Sequence, residues 1–167
     1  ITNIHVTNLH YTFNRCEKLL SANVSNFDTS DVQYMNAVFQ YCQSLTSLDV
    51  SNWDTKNVTE MYLLFASCES LTSLVVGNFE TGLVTSMHRV FSDCHSLTSI
   101  EGIENWDTQN VNDMGGMFWN CKSLTSLDVS NFNTGKVGTN IYASCFNHMF
   151  AGCEGLTTLD VSNFNTE

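Results

Sequence analysis

Hydrophobic residues recur along the chain with a period near 26 residues. The clearest marker is the pattern Phe-x-x-Cys, whose cysteines step by 26, 26, 26, 27 and 32 residues. A fixed period of this length is typical of repeat proteins, in which each unit buries its apolar face on its neighbours. The markers of the six units are Phe13/Cys16, Phe39/Cys42, Phe65/Cys68, Phe91/Cys94, Phe118/Cys121 and Phe150/Cys153.

Each period predicts two elements. Leu48 and Val50 alternate with polar residues, which is typical of a β-strand. Further along, four apolar residues follow one another at steps of three, four and three, which predicts one stripe of a short helix; they are Val58, Met61, Phe65 and Cys68. Asn57 and Glu60 stand where the N-cap and capping-box partner of that helix belong.

The predicted fold is therefore an α/β solenoid of about six repeats of 26 residues. Stacked units place a parallel sheet on one side and short helices on the other. A single unit orders about 26 residues at roughly 1.5 kcal/mol each, more than its own buried side chains return, so the array is the folding unit. Residues 1–167 form one repeat domain, and because the chain starts and ends within a repeat we expect it to belong to a longer array.

The stretch from Phe39 to Met61 reads FQYCQSLTSLDVSNWDTKNVTEM. It resembles the BspA-like leucine-rich repeats of bacterial surface proteins, and the resemblance extends over essentially the whole chain. The resemblance implies a right-handed leucine-rich-repeat coil and a cell-surface or secreted, adhesin-like protein. It implies no catalytic residues.

Charge narrows the range of partners. Six Lys and Arg against seventeen Asp and Glu give a net charge of −11. Nucleic-acid binding depends on basic groups that neutralise phosphates, so a nucleic-acid partner is not expected. No apolar run reaches the length of a membrane span, and no nucleophile elbow, phosphate-cradling loop or metal-binding pair of histidines indicates an enzyme or a cofactor.

The six repeating cysteines are predicted to form a structural ladder of free thiols in the core. They lie on the apolar stripe, where cysteine acts as a small hydrophobic residue. Stacking at about 5 Å also brings them near disulfide range, which is the alternative. A zinc site is not expected, because the chain has no Cys-x-x-Cys and its histidines hold inconsistent repeat positions. The predicted ladder is Cys16, Cys42, Cys68, Cys94, Cys121 and Cys153.

Two surfaces are candidates for binding. The first is the outward side of the strands, which carries small hydroxyls around an acidic row; its candidate residues are Ser47, Asp49, Ser51, Glu101, Ser126, Asp128, Ser130 and Asp160. A plain solvated face, a docking surface for a basic partner and a weak Ca²⁺ site are all open interpretations. The second is an insertion at residues 135–146, where Ile141 and Tyr142 are candidate contacts and Cys145 is an extra cysteine.

Two hypotheses about function follow. The first is an extracellular binding module that presents one of these surfaces to a protein or glycan on a host or neighbouring cell. The second is a structural protein whose copies associate head to tail into a surface fibre or layer.

Overall fold

A computed structural model describes residues 4–138 and 146–165 of the chain. Its regular elements are short. The strands are β1 (Ile4–His5), β2 (Ser21–Ala22), β3 (Phe27–Asp28), β4 (Ser47–Leu48), β5 (Ser73–Val75) and β6 (Ser99–Glu101), followed by a 3-10 helix at Ile103–Asn105. Turns and extended segments make up most of the remaining described chain.

All three strand pairs are parallel. β2 pairs with β4 through Ser21 and Ser47, and β5 pairs with β6 through Ser73 and Ser99, so in both pairs the partners stand 26 residues apart. β1 pairs with β3 at a shorter offset, Ile4 with Phe27. On another side, isolated parallel bridges join Tyr34, Glu60, Ser86 and Asp113 in sequence. Equivalent segments of successive units therefore lie beside one another in the same direction.

The prediction of short helices is wrong. No α-helix occurs within 4–138 or 146–165, and the predicted helical segments are runs of tight turns. In the second unit, the N–H groups of Ala37, Phe39 and Tyr41 donate to carbonyls of the third unit, at 3.0, 2.9 and 2.9 Å. The next N–H groups donate three residues back, as Gln40 does to Ala37 and Cys42 does to Phe39. An α-helix would direct both sets four residues back within its own segment.

Left-handed backbone explains why a helix does not form there. Ala37 has φ of 55° and Tyr41 has φ of 62°, and residues at the same two repeat positions have positive φ in the other units. A left-handed residue every four positions interrupts helical hydrogen bonding and turns alternate N–H groups toward the neighbouring unit. The predicted N-cap also has a different role, because the Asn57 side-chain amide donates to the carbonyl of Ser30 in the preceding unit at 2.8 Å.

The apolar stripe nevertheless faces the core. Val58, Met61, Phe65 and Cys68 are all fully buried. The phenylalanines of the Phe-x-x-Cys marker stack face to face through the molecule, with ring centroids 5.1–6.0 Å apart from Phe13 to Phe150. Each ring thus covers the ring before it, and most of the core is shared between neighbouring units.

A column of buried threonines, which the sequence analysis did not identify, holds the corners after the strands together. Thr55 is 1% exposed, and its hydroxyl donates to the Glu80 carbonyl at 3.1 Å while accepting the Glu80 N–H at 2.8 Å. One side chain therefore satisfies both backbone groups of one residue in the next unit. The same column contains Thr29, Thr55, Thr81, Thr108 and Thr134.

Candidate functional site

The strand face carries the first set of candidate residues. Seven of the eight are exposed, and Ser130 is half-buried. Leu48 is half-buried and Val50 is fully buried between them, as the alternation of a strand requires. The chain therefore directs the candidate hydroxyls and carboxylates to one solvent-facing surface, which is called the strand face below.

Three aspartates of the strand face are held by short local hydrogen bonds. Asp49, Asp128 and Asp160 each accept the N–H of the serine two residues later, at 3.0, 3.0 and 2.9 Å. Hydrogen bonds from Ser51 and from Ser130, side chain first and backbone second, lower the pKa of Asp49 and Asp128. The backbone N–H of Ser162 and then its hydroxyl lower the pKa of Asp160. Three fixed negative charges result.

A shallow, open groove runs along the strand face from the fourth unit to the sixth. Its acidic lining comprises Glu101, Glu104, Asp128 and Asp160, and Leu159 contributes apolar surface. The charge of Asp160 opposes ionisation of Asp128, so the two carboxylates are near enough to repel. None of the four carboxylates pairs with a lysine or arginine in the described part of the chain.

One hydrophobic side chain interrupts the acidic row. Val75 occupies the position of Asp49 in the next unit, pairs in register with Glu101 and is 52% exposed. A valine between two acidic positions gives the strand face a local apolar contact.

The predicted cysteine ladder is buried in its middle and open at its two ends. Cys42, Cys68, Cys94 and Cys121 are fully buried, Cys153 is half-buried and Cys16 is exposed, and all six are free thiols. Among the six, Cys16 is thus the one thiol that is exposed to solvent. Its thiol lies at the outermost described unit, with no earlier described unit to cover it.

Each ladder thiol after Cys16 makes the same contact. The thiol donates to the carbonyl of the marker phenylalanine in the preceding unit; Cys68 reaches Phe39 at 3.3 Å and Cys94 reaches Phe65 at 3.1 Å. Burial raises the pKa of Cys42 to about 11 and the pKa of Cys68 further still. These thiols stay protonated near neutral pH, and a protonated thiol is a poor nucleophile and metal ligand.

The second candidate surface falls outside the described residues. Ile141, Tyr142 and Cys145 belong to the stretch 139–145, between the two described ranges. Their role as contact residues stays a prediction.

Over residues 4–138 and 146–165, no group of three His, Cys, Asp or Glu side chains is placed to hold a metal ion. Over the same ranges, no helix has the length and apolar character needed to cross a bilayer.

Over residues 4–138 and 146–165, the structure consists of short parallel strand pairs joined by tight turns, with an acidic strand face and protonated core thiols, and no α-helix accompanies them. Residues 2–100 and 85–167 each match a family model described as "Mycoplasma protein of unknown function, DUF285", and the chain belongs to this family. Neither a curated protein nor a solved structure matches the chain significantly.

Proposed function

We propose that this chain is a non-catalytic module of a cell-surface or secreted protein, and that it binds a protein or glycan on a host or neighbouring cell. We also propose that its units continue as a solenoid resembling the BspA-like leucine-rich repeats. The pairing of Ser21 with Ser47 and of Ser73 with Ser99 supports this geometry, because a constant offset adds one unit at each step.

The observation that carries the binding role is the acidic strand face. Core packing uses the inward side chains, so Asp49, Glu101, Asp128 and Asp160 have no part in it. Their charges also lack basic partners among the described residues. Unpaired charges on one face raise the association rate of an oppositely charged partner and select it over others. The partner that fits this face best has a basic contact surface, whether the partner is a protein or a molecule that bears glycans.

A charge-neutralised variant tests this role. The change D49N, E101Q, D128N and D160N removes four charges but keeps side-chain oxygens that accept the serine N–H groups. We expect binding of the fluorescently labelled protein to cultured epithelial cells to weaken at least about tenfold, because charge complementarity is lost. Pretreating the cells with protease or with glycosidases distinguishes a protein receptor from a glycan.

The matched control removes the same number of exposed charges elsewhere, as E17Q, E80Q, D107N and E154Q. Equal loss in both variants indicates a general charge effect and contradicts a specific strand face. Full binding by both variants moves the proposal to the insertion, where deletion of residues 138–143 is then expected to abolish binding and leave the circular dichroism spectrum unchanged.

A second candidate function is end-to-end association into a fibre or layer. In the sixth unit Phe150, Leu156 and Leu159 are half-buried and Val161 is 41% exposed, and a second copy seated there would cover this apolar surface. Identical copies that associate head to tail without closing into a ring assemble into filaments. We expect mass measured by light scattering to rise with concentration, and Val161→Lys to suppress the rise; a constant monomer mass contradicts this function.

A further inference from the structure

An arginine lies over the ring of a tryptophan on the turn side of the molecule, away from the strand face. The Arg89 guanidinium carbon is 4.9 Å from the ring centroid of Trp119, which is a cation–π contact. Arg89 is exposed, and in the described chain it forms no ion pair, although acidic residues outnumber basic ones by seventeen to six. Its guanidinium donors are therefore open to a ligand.

A glycine makes this contact possible. Gly116 lies between the two side chains, and a Cβ atom there would be 3.1 Å from Arg89 Cγ and 3.7 Å from Trp119 Cβ. Each of the five other units carries a side chain at the Gly116 position, such as Leu63 in the third unit. The missing side chain lets Arg89 cross the surface of the fifth unit and reach the indole.

A histidine from the sixth unit lies next to the same indole. The rings of His148 and Trp119 have centroids 5.9 Å apart and are tilted by 44°. Three successive units thus contribute one side chain each to a single cluster, which is called the Trp119 patch. Trp119 is half-buried, whereas Trp53 and Trp106 are almost fully buried.

The patch occurs once in an otherwise repeating surface. Small or polar side chains take the Trp119 position in the other units, namely Asn14, Gln40, Ala66, Ser92 and Ala151. Those units pack on their neighbours without an aromatic residue at this position, so the packing of one unit on the next does not require one. A single tryptophan beside an unpaired arginine has the composition of the anchors that carry binding energy at protein interfaces.

We propose that the Trp119 patch docks a protein partner through a segment that presents one carboxylate next to an apolar side chain. The Arg89 guanidinium takes the carboxylate with two parallel hydrogen bonds, a geometry that arginine forms better than lysine. The exposed part of the Trp119 indole packs against the apolar neighbour. A single carboxylate fits better than a polyanion, because the chain as a whole carries a net charge of −11 and repels long acidic polymers.

The test uses acetylated, amidated pentapeptides with Glu at the centre and Leu, Ile, Phe or Tyr on either side, each with a net charge of −1. Every peptide has a twin with Gln in place of Glu. Binding to the whole chain is followed through the indole N–H signal of Trp119 by NMR, assigned with the variant Trp119→Phe. At about 1 mM peptide, we expect Glu peptides to shift this signal and to bind at least about tenfold more tightly than their Gln twins.

Substitutions at Arg89 and Arg15 distinguish a specific binding site from general attraction between opposite charges. Arg89→Gln is expected to weaken binding at least about tenfold, and Arg89→Lys is expected to recover only part of it, since lysine keeps the charge but not the paired donors. Arg15→Gln is the matched control, because Arg15 also lies over a ring, Tyr41, at 4.7 Å. It should leave binding within twofold of the unchanged protein.

Three results overturn the proposal: no peptide shifts the Trp119 signal, the Gln twins bind as tightly as the Glu peptides, or Arg15→Gln weakens binding as much as Arg89→Gln. Because these variants leave the strand face unchanged, the outcome is independent of the cell-binding experiment.

Discussion

Thr55 holds both backbone groups of Glu80, donating its hydroxyl to the carbonyl and accepting the N–H. Asp54 and Thr29 repeat this relationship one unit earlier, at 2.8 and 3.0 Å. The corner of every such unit is therefore joined to the next unit by a pair of hydrogen bonds through one buried oxygen. Substituting this side chain tests directly whether these bonds hold neighbouring units together.

Replacing Thr55 with Val keeps the shape and removes the hydroxyl. We expect a loss of about 1–3 kcal/mol in the free energy of unfolding, because the Glu80 N–H and carbonyl both lose the hydroxyl of the buried Thr55 as their partner. Urea denaturation followed by tryptophan fluorescence measures the loss. The control Thr72→Val, at an exposed position directly before β5, should change stability by no more than about 0.5 kcal/mol; equal losses would contradict the role of the threonine column.

The buried thiols predict a second outcome. Cys68→Ser is expected to cost about 1–3 kcal/mol, because the shorter C–O bond draws the hydroxyl away from the Phe39 carbonyl that the thiol reaches at 3.3 Å, in a fully buried site. In the native protein a thiol reagent should modify Cys16 rapidly and Cys42, Cys68, Cys94 and Cys121 slowly. Mass spectrometry of the labelled peptides locates the modified residues. Fast native labelling of Cys94 would show that the ladder is open to solvent.

The raised pKa of Cys42 predicts how stability depends on pH. Burial first, and then the charge of Cys16, raise this pKa from the ordinary thiol value of 9.0 to about 11. The unfolded chain therefore loses the thiol proton at lower pH than the folded chain does. The stability that the buried, protonated Cys42 thiol contributes to the folded protein is fully present below about pH 9 and is lost as the pH rises through about 11.

Urea midpoints measured between pH 8 and 11 test this pH dependence. The unchanged protein should lose more stability over that range than Cys42→Ala does, since tyrosines and lysines titrate alike in both and cancel in the difference. Parallel curves for the two proteins would mean that folding leaves the Cys42 pKa unchanged.

The left-handed backbone gives a fourth prediction. Ala37 and Ala66 are both buried alanines in the turn segments, but only Ala37 has positive φ, at 55°. Glycine adopts that conformation without the steric cost of a Cβ. We therefore expect Ala37→Gly to destabilise the protein less than Ala66→Gly, by about 1 kcal/mol. Equal losses in thermal unfolding would be the result for a regular helix.

The hydrophobic pattern predicted which side chains face inward but not the path of the backbone. A stripe spaced by three, four and three residues is produced by a helix and also by a series of tight turns, because both return a side chain to one face at those steps. Ala37 and Tyr41 hold left-handed positions that glycine would have revealed, and neither residue type carries that signal.

For the candidate site, too, the sequence predicted which side chains face outward but not which side chains of different units come into contact. Alternation placed Asp49 and Asp128 outward because strand geometry fixes the side. It did not identify Trp119 and Arg89, since their contact depends on the absence of a side chain at Gly116, which lies in the same unit as Trp119. Thr55 was not singled out from the sequence, because its burial and double hydrogen bond arise only when the next unit packs against it.

The hydrogen bonds of the turn segments join each unit to the next one, as those from Phe39 to Leu64 and from Phe65 to Val90 do. Under a pulling force along the stack, every interface carries the same tension, and the interfaces break one at a time because the first to open lengthens the chain and lowers that tension. The molecule should then lengthen in steps, each releasing up to about 90 Å as roughly 26 residues straighten at about 3.5 Å per residue. A protein anchored between two surfaces would in this way extend under load by unfolding one unit while its neighbours remain folded.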